Sequence, residues 1–182
     1  MKKLLLLPVI FAILLPIVVP AQVQSEKISI YIQGGYMSSG YINESVQKKL
    51  FSAKEIQDHK CIILNAGFLM KVSEKWRIGP VFTYDHFGSK HRTVEYSNLS
   101  YMLRSDRIWK ENKNFLLYSG LAFGIRKTKK FEEEVETNRW IKSAYQIYLG
   151  GLELKINRFA ININAGYGVS GILNAGLKYH FK

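Results

Sequence analysis

The stretch AININAGYGVSGILNAGLKYHF, from Ala160 to Phe181, decides the fold. Apolar and polar residues alternate through 159–168 and again through 173–181, with a short glycine-rich connection between the two runs. A period of two is typical of a β-strand. One face of each run is apolar and ends in aromatic residues, whereas the other carries asparagine, glycine, lysine and histidine. Apolar residues outside, polar residues inside and aromatics at the rim are typical of a strand in a transmembrane β-barrel.

The N-terminus has the composition of a secretory signal peptide, which we predict to comprise residues 1–21 and to be cleaved. Lys2 and Lys3 form a charged start, and Leu4–Val19 forms the apolar centre. Small residues around Ala21 predict the cleavage site, with Ser25 as a later alternative. The prolines in this segment and its short length disfavour the other interpretation, a retained membrane helix.

Residues 27–181 are then predicted to form one domain that crosses a membrane as strands. No later stretch approaches the roughly 18 apolar residues of a membrane helix. Helices and closed barrels are the two structures that satisfy every backbone polar group in lipid. Cys61 is the single cysteine, so closure of the strand ladder has to supply the stability that a disulfide cannot. Eleven tyrosines, ten phenylalanines and three tryptophans also fit a barrel with aromatic girdles.

The net charge of +12 makes the chain strongly basic. Because an exported chain meets little nucleic acid, we expect anionic partners: outer-membrane lipid and the phosphates of lipopolysaccharide. The alternative is that the loop cations are simply solvated. The candidates for lipopolysaccharide contact are Lys90, Arg92, Lys127, Lys129 and Lys130.

The alternation continues along the chain and predicts an all-β fold, an eight-stranded antiparallel up-and-down transmembrane β-barrel. The connections after strands one, three and five are long, and those after strands two, four and six are short. Outer-membrane barrels have short periplasmic turns and longer outer loops. Ten strands remain the alternative, because the fourth strand and the first loop are ambiguous. The predicted strands are 27–37, 60–72, 76–85, 94–104, 114–126, 139–155, 159–168 and 173–181.

Two of these strands depart from regular alternation. Pro80 lies inside the third strand, and its missing ladder donor predicts a local bulge. In the sixth strand the apolar parity switches at Gly150-Gly151, which predicts a β-bulge that keeps Glu153 out of lipid. Between strands, we predict a turn at 106–113 and a loop at 127–138.

The inward parity of the predicted strands carries charged residues. Buried charges have to be paired, and the interior of an eight-stranded barrel is only wide enough for side chains. We therefore predict a salt-bridged plug, with a narrow pore lined by cations as the alternative. The predicted lumen network consists of Lys71, Arg77, Arg104, Glu153 and Lys178.

We predict no catalytic residue, no cofactor site and no metal site. No glycine-rich stretch lies at a strand-to-helix junction, as a nucleotide-binding loop requires. His59, His86 and His91 fall in outer loops, and no local signature joins them to Asp85 or Ser97 as a hydrolase site. A barrel enzyme acting on lipid A is therefore the least favoured interpretation.

The signal peptide, the closing GYGVSGILNAGLKYHF and the segment YQIYLGGLELK at 145–155 together carry a resemblance to a known family. They resemble the small outer-membrane β-barrels of the OmpA, OmpX and OmpW types over roughly Lys27 to Phe181. The resemblance implies the cell outer membrane as location and insertion by the barrel-assembly machinery. The chain departs from the usual ending of this group, because Lys182 follows the aromatic Phe181.

From these observations we expect a non-enzymatic barrel with a structural or surface-interaction role. A narrow pore or carrier of small hydrophobic solutes, of the OmpW type, is the second hypothesis. A soluble lipocalin-like barrel is the alternative at the level of fold, and it requires the inverse distribution of apolar and polar faces.

Overall fold

Ile28 and Phe181, near opposite ends of the described chain, are paired neighbours in one sheet. The computed structural model describes residues 28–39, 60–88, 94–132 and 135–181. Each strand pairs antiparallel with the next, and the last pairs with the first, so the ladder closes into a barrel. The strands are β1 (Ile28–Tyr36), β2 (Lys60–Ser73), β3 (Trp76–Gly88), β4 (Val94–Glu111), β5 (Phe115–Glu132), β6 (Val135–Ile156), β7 (Phe159–Gly168) and β8 (Leu173–Phe181).

The closed ladder confirms the predicted eight-stranded up-and-down barrel. The ten-strand alternative is wrong, because β8 finds its partner in β1 and leaves no edge for further strands. Over the described ranges, no helix is long and apolar enough to cross a membrane. The predicted signal peptide, residues 1–21, lies outside those ranges.

The strands are apolar on the outside of the barrel and polar on the inside. β7 alternates without exception between exposed and buried residues, with Ile161 and Ile163 outside and Asn162 and Asn164 inside. The same division holds around the ring, where large apolar side chains such as Leu121 are more than half exposed. This distribution is the inverse of a soluble barrel, so the lipocalin-like alternative is wrong.

The two ends of the barrel differ in their connections. We call the end with the turns 74–75, 112–114 and 157–158 the short-turn end, and the opposite end the long-hairpin end.

Aromatic side chains border the apolar band of the outer wall. At the short-turn end Phe159, Tyr179 and Phe181 pack edge to face, with ring centroids 5.2 and 4.9 Å apart. On β3 the band runs from Trp76 to Tyr84, which is about 20 Å of height at about 3.3 Å per residue and a tilt of about 40°. That height is close to the apolar band of about 25 Å that transmembrane β-barrels have.

Strands β4, β5 and β6 are longer than we predicted. The predicted turn at 106–113 is wrong in its first part, because β4 continues to Glu111. The predicted loop at 127–138 is also largely strand, since β5 continues to Glu132 and β6 begins at Val135. Backbone pairs such as Lys130↔Asn138 extend the ladder beyond the apolar band, where both faces meet water and the side-chain alternation loses its cause.

The two predicted bulges had opposite outcomes. The bulge at Gly150 is confirmed: Leu149 is an extra residue in β6 relative to β7, and Glu153 therefore lies inside and fully buried. The bulge at Pro80 is wrong. The pair Pro80↔Leu103 continues the register between β3 and β4 without a shift, because the proline removes a donor but adds no residue to the strand.

Candidate functional site: the barrel lumen

A cluster of charged side chains fills the lumen towards the short-turn end. Arg77 contacts two carboxylates: its Nε donates to Asp106 Oδ2 over 2.8 Å, and its Nη1 lies 2.5 Å from Glu153 Oε1. Arg104 Nε donates to the other oxygen of Asp106 over 2.8 Å, and Lys178 Nζ donates to Glu153 Oε1. All five side chains are buried. Asp106 joins this cluster although the sequence pattern had assigned it to a turn.

Tyrosine rings stabilise the excess positive charge of the cluster. Arg77, Arg104 and Lys178 bring three cations against two carboxylates. The Arg104 guanidinium lies 3.9 Å from the ring centroid of Tyr148, and that of Arg77 lies 4.3 Å from the ring of Tyr118. A cation over an aromatic face is stabilised by the ring quadrupole, and most strongly where water is excluded.

A chain of hydrogen bonds continues from this cluster to the long-hairpin end. Its members are mostly asparagines on the inward parity of their strands, and each is 1% exposed or less. The donor–acceptor distances lie between 2.8 and 3.2 Å. In order, the chain runs through Glu153, Asn162, Asn164, Asn174, Asn65, Thr83 and Ser170.

The connection between β7 and β8 turns into the barrel mouth at the long-hairpin end. Val169 and Ser170 are 3% and 1% exposed. Ser170 N–H donates to Gln146 Oε1 over 2.8 Å, and its hydroxyl lies 3.1 Å from that of Thr83. Gly168 and Gly171 flank the turn with φ of 146° and 103°, values that favour glycine. The stretch 166–171 has the spacing GxGxxG, but it joins two antiparallel strands and so lacks the helix of a nucleotide site.

Lys71, which we also predicted to belong to the lumen network, lies apart from this cluster. Its Nζ donates to Glu111 Oε2 over 2.7 Å, and Lys155 donates to the other oxygen of Glu111 over 2.6 Å. The Lys71 and Glu111 side chains are 30% and 27% exposed at the short-turn end. Lys71 and Arg77 both line a cavity of about 20 Å³, which has room for about one water.

The candidate lipopolysaccharide contacts divide into three groups. Lys90 and Arg92 lie outside the described residues. Lys127 and Lys129 share the outward parity of Ile125, just beyond the apolar band. Lys129 donates to Glu136 Oε2 over 2.8 Å, and this hydrogen bond lowers the pKa of the Glu136 carboxyl. Lys130 has the opposite parity and pairs with Glu132. Lys129 and Lys130 therefore each form a salt bridge with a glutamate.

The described residues of the hydrolase alternative lie on two different faces of the wall. His86 and Ser97 are paired across β3 and β4, and His86 lies 3.9 Å from Glu95. Asp85 has the opposite parity: it is buried and accepts from Asn98 over 3.3 Å. His59 and His91 lie outside the described residues. Across the described ranges, no three His, Cys, Asp or Glu side chains are close enough to hold a metal ion.

An apolar exterior around a charged, fully buried interior requires hydrocarbon outside the wall. The chain is a transmembrane β-barrel. The resemblance to the small outer-membrane barrels is thus confirmed at the level of fold. No family model and no curated protein matches the barrel.

Several solved structures resemble the barrel at low sequence identity. Ail, the attachment invasion locus protein of Yersinia pestis, matches with 14% identity and a TM-score of 0.49, covering 85% of this chain and 96% of Ail. Ail in complex with the heparin analogue sucrose octasulfate matches with 16% identity and a TM-score of 0.47, covering 85% and 96%. A de novo designed transmembrane β-barrel matches with 10% identity and a TM-score of 0.48, covering 88% and 99%.

Proposed function

We propose that this chain is a non-enzymatic outer-membrane protein with a structural or surface-interaction role, and that its lumen is filled by a polar plug. The hydrogen-bonded series from Arg104 and Asp106 through Glu153 to Ser170 carries the proposal. In this series the charged groups bind one another across the barrel and do not line an ion-conducting path. Val169 and Ser170 occupy one mouth, and buried Ile108 and Leu116 lie near the other.

In the proposed orientation the short-turn end faces the periplasm and the long-hairpin end faces outwards. The barrel-assembly machinery is then the partner for insertion. Lys127 and Lys129 stand at the outer rim, where lipopolysaccharide phosphates lie, and Lys90 and Arg92 belong to the same proposed contact. Since Lys129 and Lys130 already pair with glutamates, we assign the larger share of phosphate contact to Lys127.

Planar-bilayer recording tests the plug. We expect the intact protein to give no stepwise conductance, because its lumen side chains are hydrogen-bonded across the barrel. The double variant Arg104→Ser, Asp106→Ser removes the largest fully buried side chain among the described residues together with its anion, and it should give small, short-lived steps. Stable steps from the intact protein would contradict the plug and favour the narrow-pore alternative.

Binding to lipopolysaccharide tests the surface role. A basic residue near an anionic membrane surface contributes about 1 kcal/mol, so Lys127→Gln should weaken binding about fivefold. The control is Lys113→Gln, an exposed lysine at the short-turn end, which should leave binding unchanged. Binding is measured with vesicles that carry phosphorylated or dephosphorylated lipopolysaccharide. Equal affinities for the two vesicle types would reject the phosphate contact.

A further inference from the structure

Two outward bulges interrupt the lipid-facing wall on either side of β5. Trp109 is an extra residue in β4 relative to β5, and its indole N–H donates to Ser119 Oγ over 2.8 Å. Leu149 is an extra residue in β6, and at 75% its exposure is high even for the lipid-facing wall. Because each bulge pushes one large apolar side chain away from the barrel, the surface between them is recessed.

The recess is a groove of about 510 Å³ with apolar walls and a floor of small residues. Its walls are Trp109, Leu117, Leu149, Ile163 and Leu173, all of them exposed. Gly150 and Ala165 lie between them. A Cβ atom added to Gly150 would find no heavy atom within 4 Å, so the space above this glycine is empty of protein.

We propose that this groove binds one acyl chain of a phospholipid from the leaflet next to the short-turn end. The groove lies inside the apolar band, where hydrocarbon is the solvent, and Trp109 places one of its ends near the short-turn rim. In lipid, association depends on close packing, since the surrounding chains are as apolar as the wall. A recess that touches a chain on several sides offers more dispersion contacts than the convex wall elsewhere.

The glycines of the barrel provide a matched pair of variants. Gly150→Leu puts a leucine into the groove without a clash. Gly34→Leu puts the same side chain on the outer face of β1, where a Cβ atom also meets nothing within 4 Å. Each protein is purified in detergent, given one equivalent of phosphatidylethanolamine and examined by native mass spectrometry. We expect one retained phospholipid on the wild type and on Gly34→Leu, and about tenfold weaker retention on Gly150→Leu.

A second measurement separates this inference from the proposed membrane location, on which it rests. Single-tryptophan proteins that keep Trp109 or Trp76 are inserted into vesicles with a small fraction of brominated phospholipid. Trp109 should be quenched more than Trp76, and Gly150→Leu should remove the difference. Quenching of neither residue would reject the membrane location, whereas equal quenching would reject the groove. Equal lipid retention by all three proteins, or a dimer that Gly150→Leu dissociates, would also overturn the acyl-chain site.

Discussion

Replacing Glu153 with glutamine is expected to lower the free energy of unfolding by about 3–5 kcal/mol, the range for breaking a buried ion pair by removing one partner. The substitution leaves Arg77, Arg104 and Lys178 buried with Asp106 as their remaining carboxylate in the cluster. The loss is read from urea titrations of the folded protein in vesicles, as a fall in the transition midpoint at constant slope.

Glu111 supplies the control for this prediction. It also accepts from two lysines, Lys71 and Lys155, but it is partly solvated at the short-turn end. Glu111→Gln should therefore cost less than about 1 kcal/mol. Adding Lys178→Met to Glu153→Gln should recover part of the lost stability, because one unpaired buried cation is then removed. Equal losses for Glu153→Gln and Glu111→Gln would show that burial adds nothing to the lumen cluster.

Gly151→Ala is expected to destabilise the barrel by about 1–3 kcal/mol, the usual range for overpacking a filled interior. Gly151 is paired with Tyr118, and a Cβ atom at this position would lie 2.1 Å from the tyrosine Cζ. The ring cannot move away easily, because Arg77 covers its face and its hydroxyl bonds Asn162. The same urea titration measures the loss.

The neighbouring glycine is the control for this second prediction. Gly150→Ala adds the same methyl group one residue away, where nothing lies within 4 Å, and should change stability by less than about 0.5 kcal/mol. In a Tyr118→Ala background the cost of Gly151→Ala should largely disappear, because the clashing ring is absent. A cost that persists there would assign the effect to the backbone of the bulge.

The strands within the apolar band could be predicted because their two faces meet different surroundings. Lipid outside and a polar lumen inside force a period of two, as in β7, and a single slip in parity is then visible as the bulge at Gly150. Beyond Thr128, which is still buried in the lumen, both faces of a strand meet water, so the sequence from Lys129 to Asn138 has no such period. Its strands follow from backbone pairing alone, and alternation could not reveal them.

The members of the lumen cluster could be predicted only as inward residues. Arg77, Arg104, Glu153 and Lys178 share the right parity, but which of them meet depends on the stagger between strands, which alternation does not report. Lys71 has the same parity and meets Glu111, because it lies nearer the short-turn end. Asp106 was missed because aspartate is a common turn residue, and its contacts with two arginines override that preference.

The position of Lys178 on the last strand bears on how the barrel can assemble. The cluster draws its charges from β3, β4, β6 and β8, so Glu153 cannot acquire both of its cations until β8 has arrived. The pairing of β8 with β1 joins residues from nearly opposite ends of the chain, the kind of long loop that closes slowly. Completion of the ion-pair network in the lumen and closure of the ring are therefore one late event. A nascent chain that lacks β8 has an incomplete ion-pair network and an open seam together, and these two features distinguish it from the finished protein.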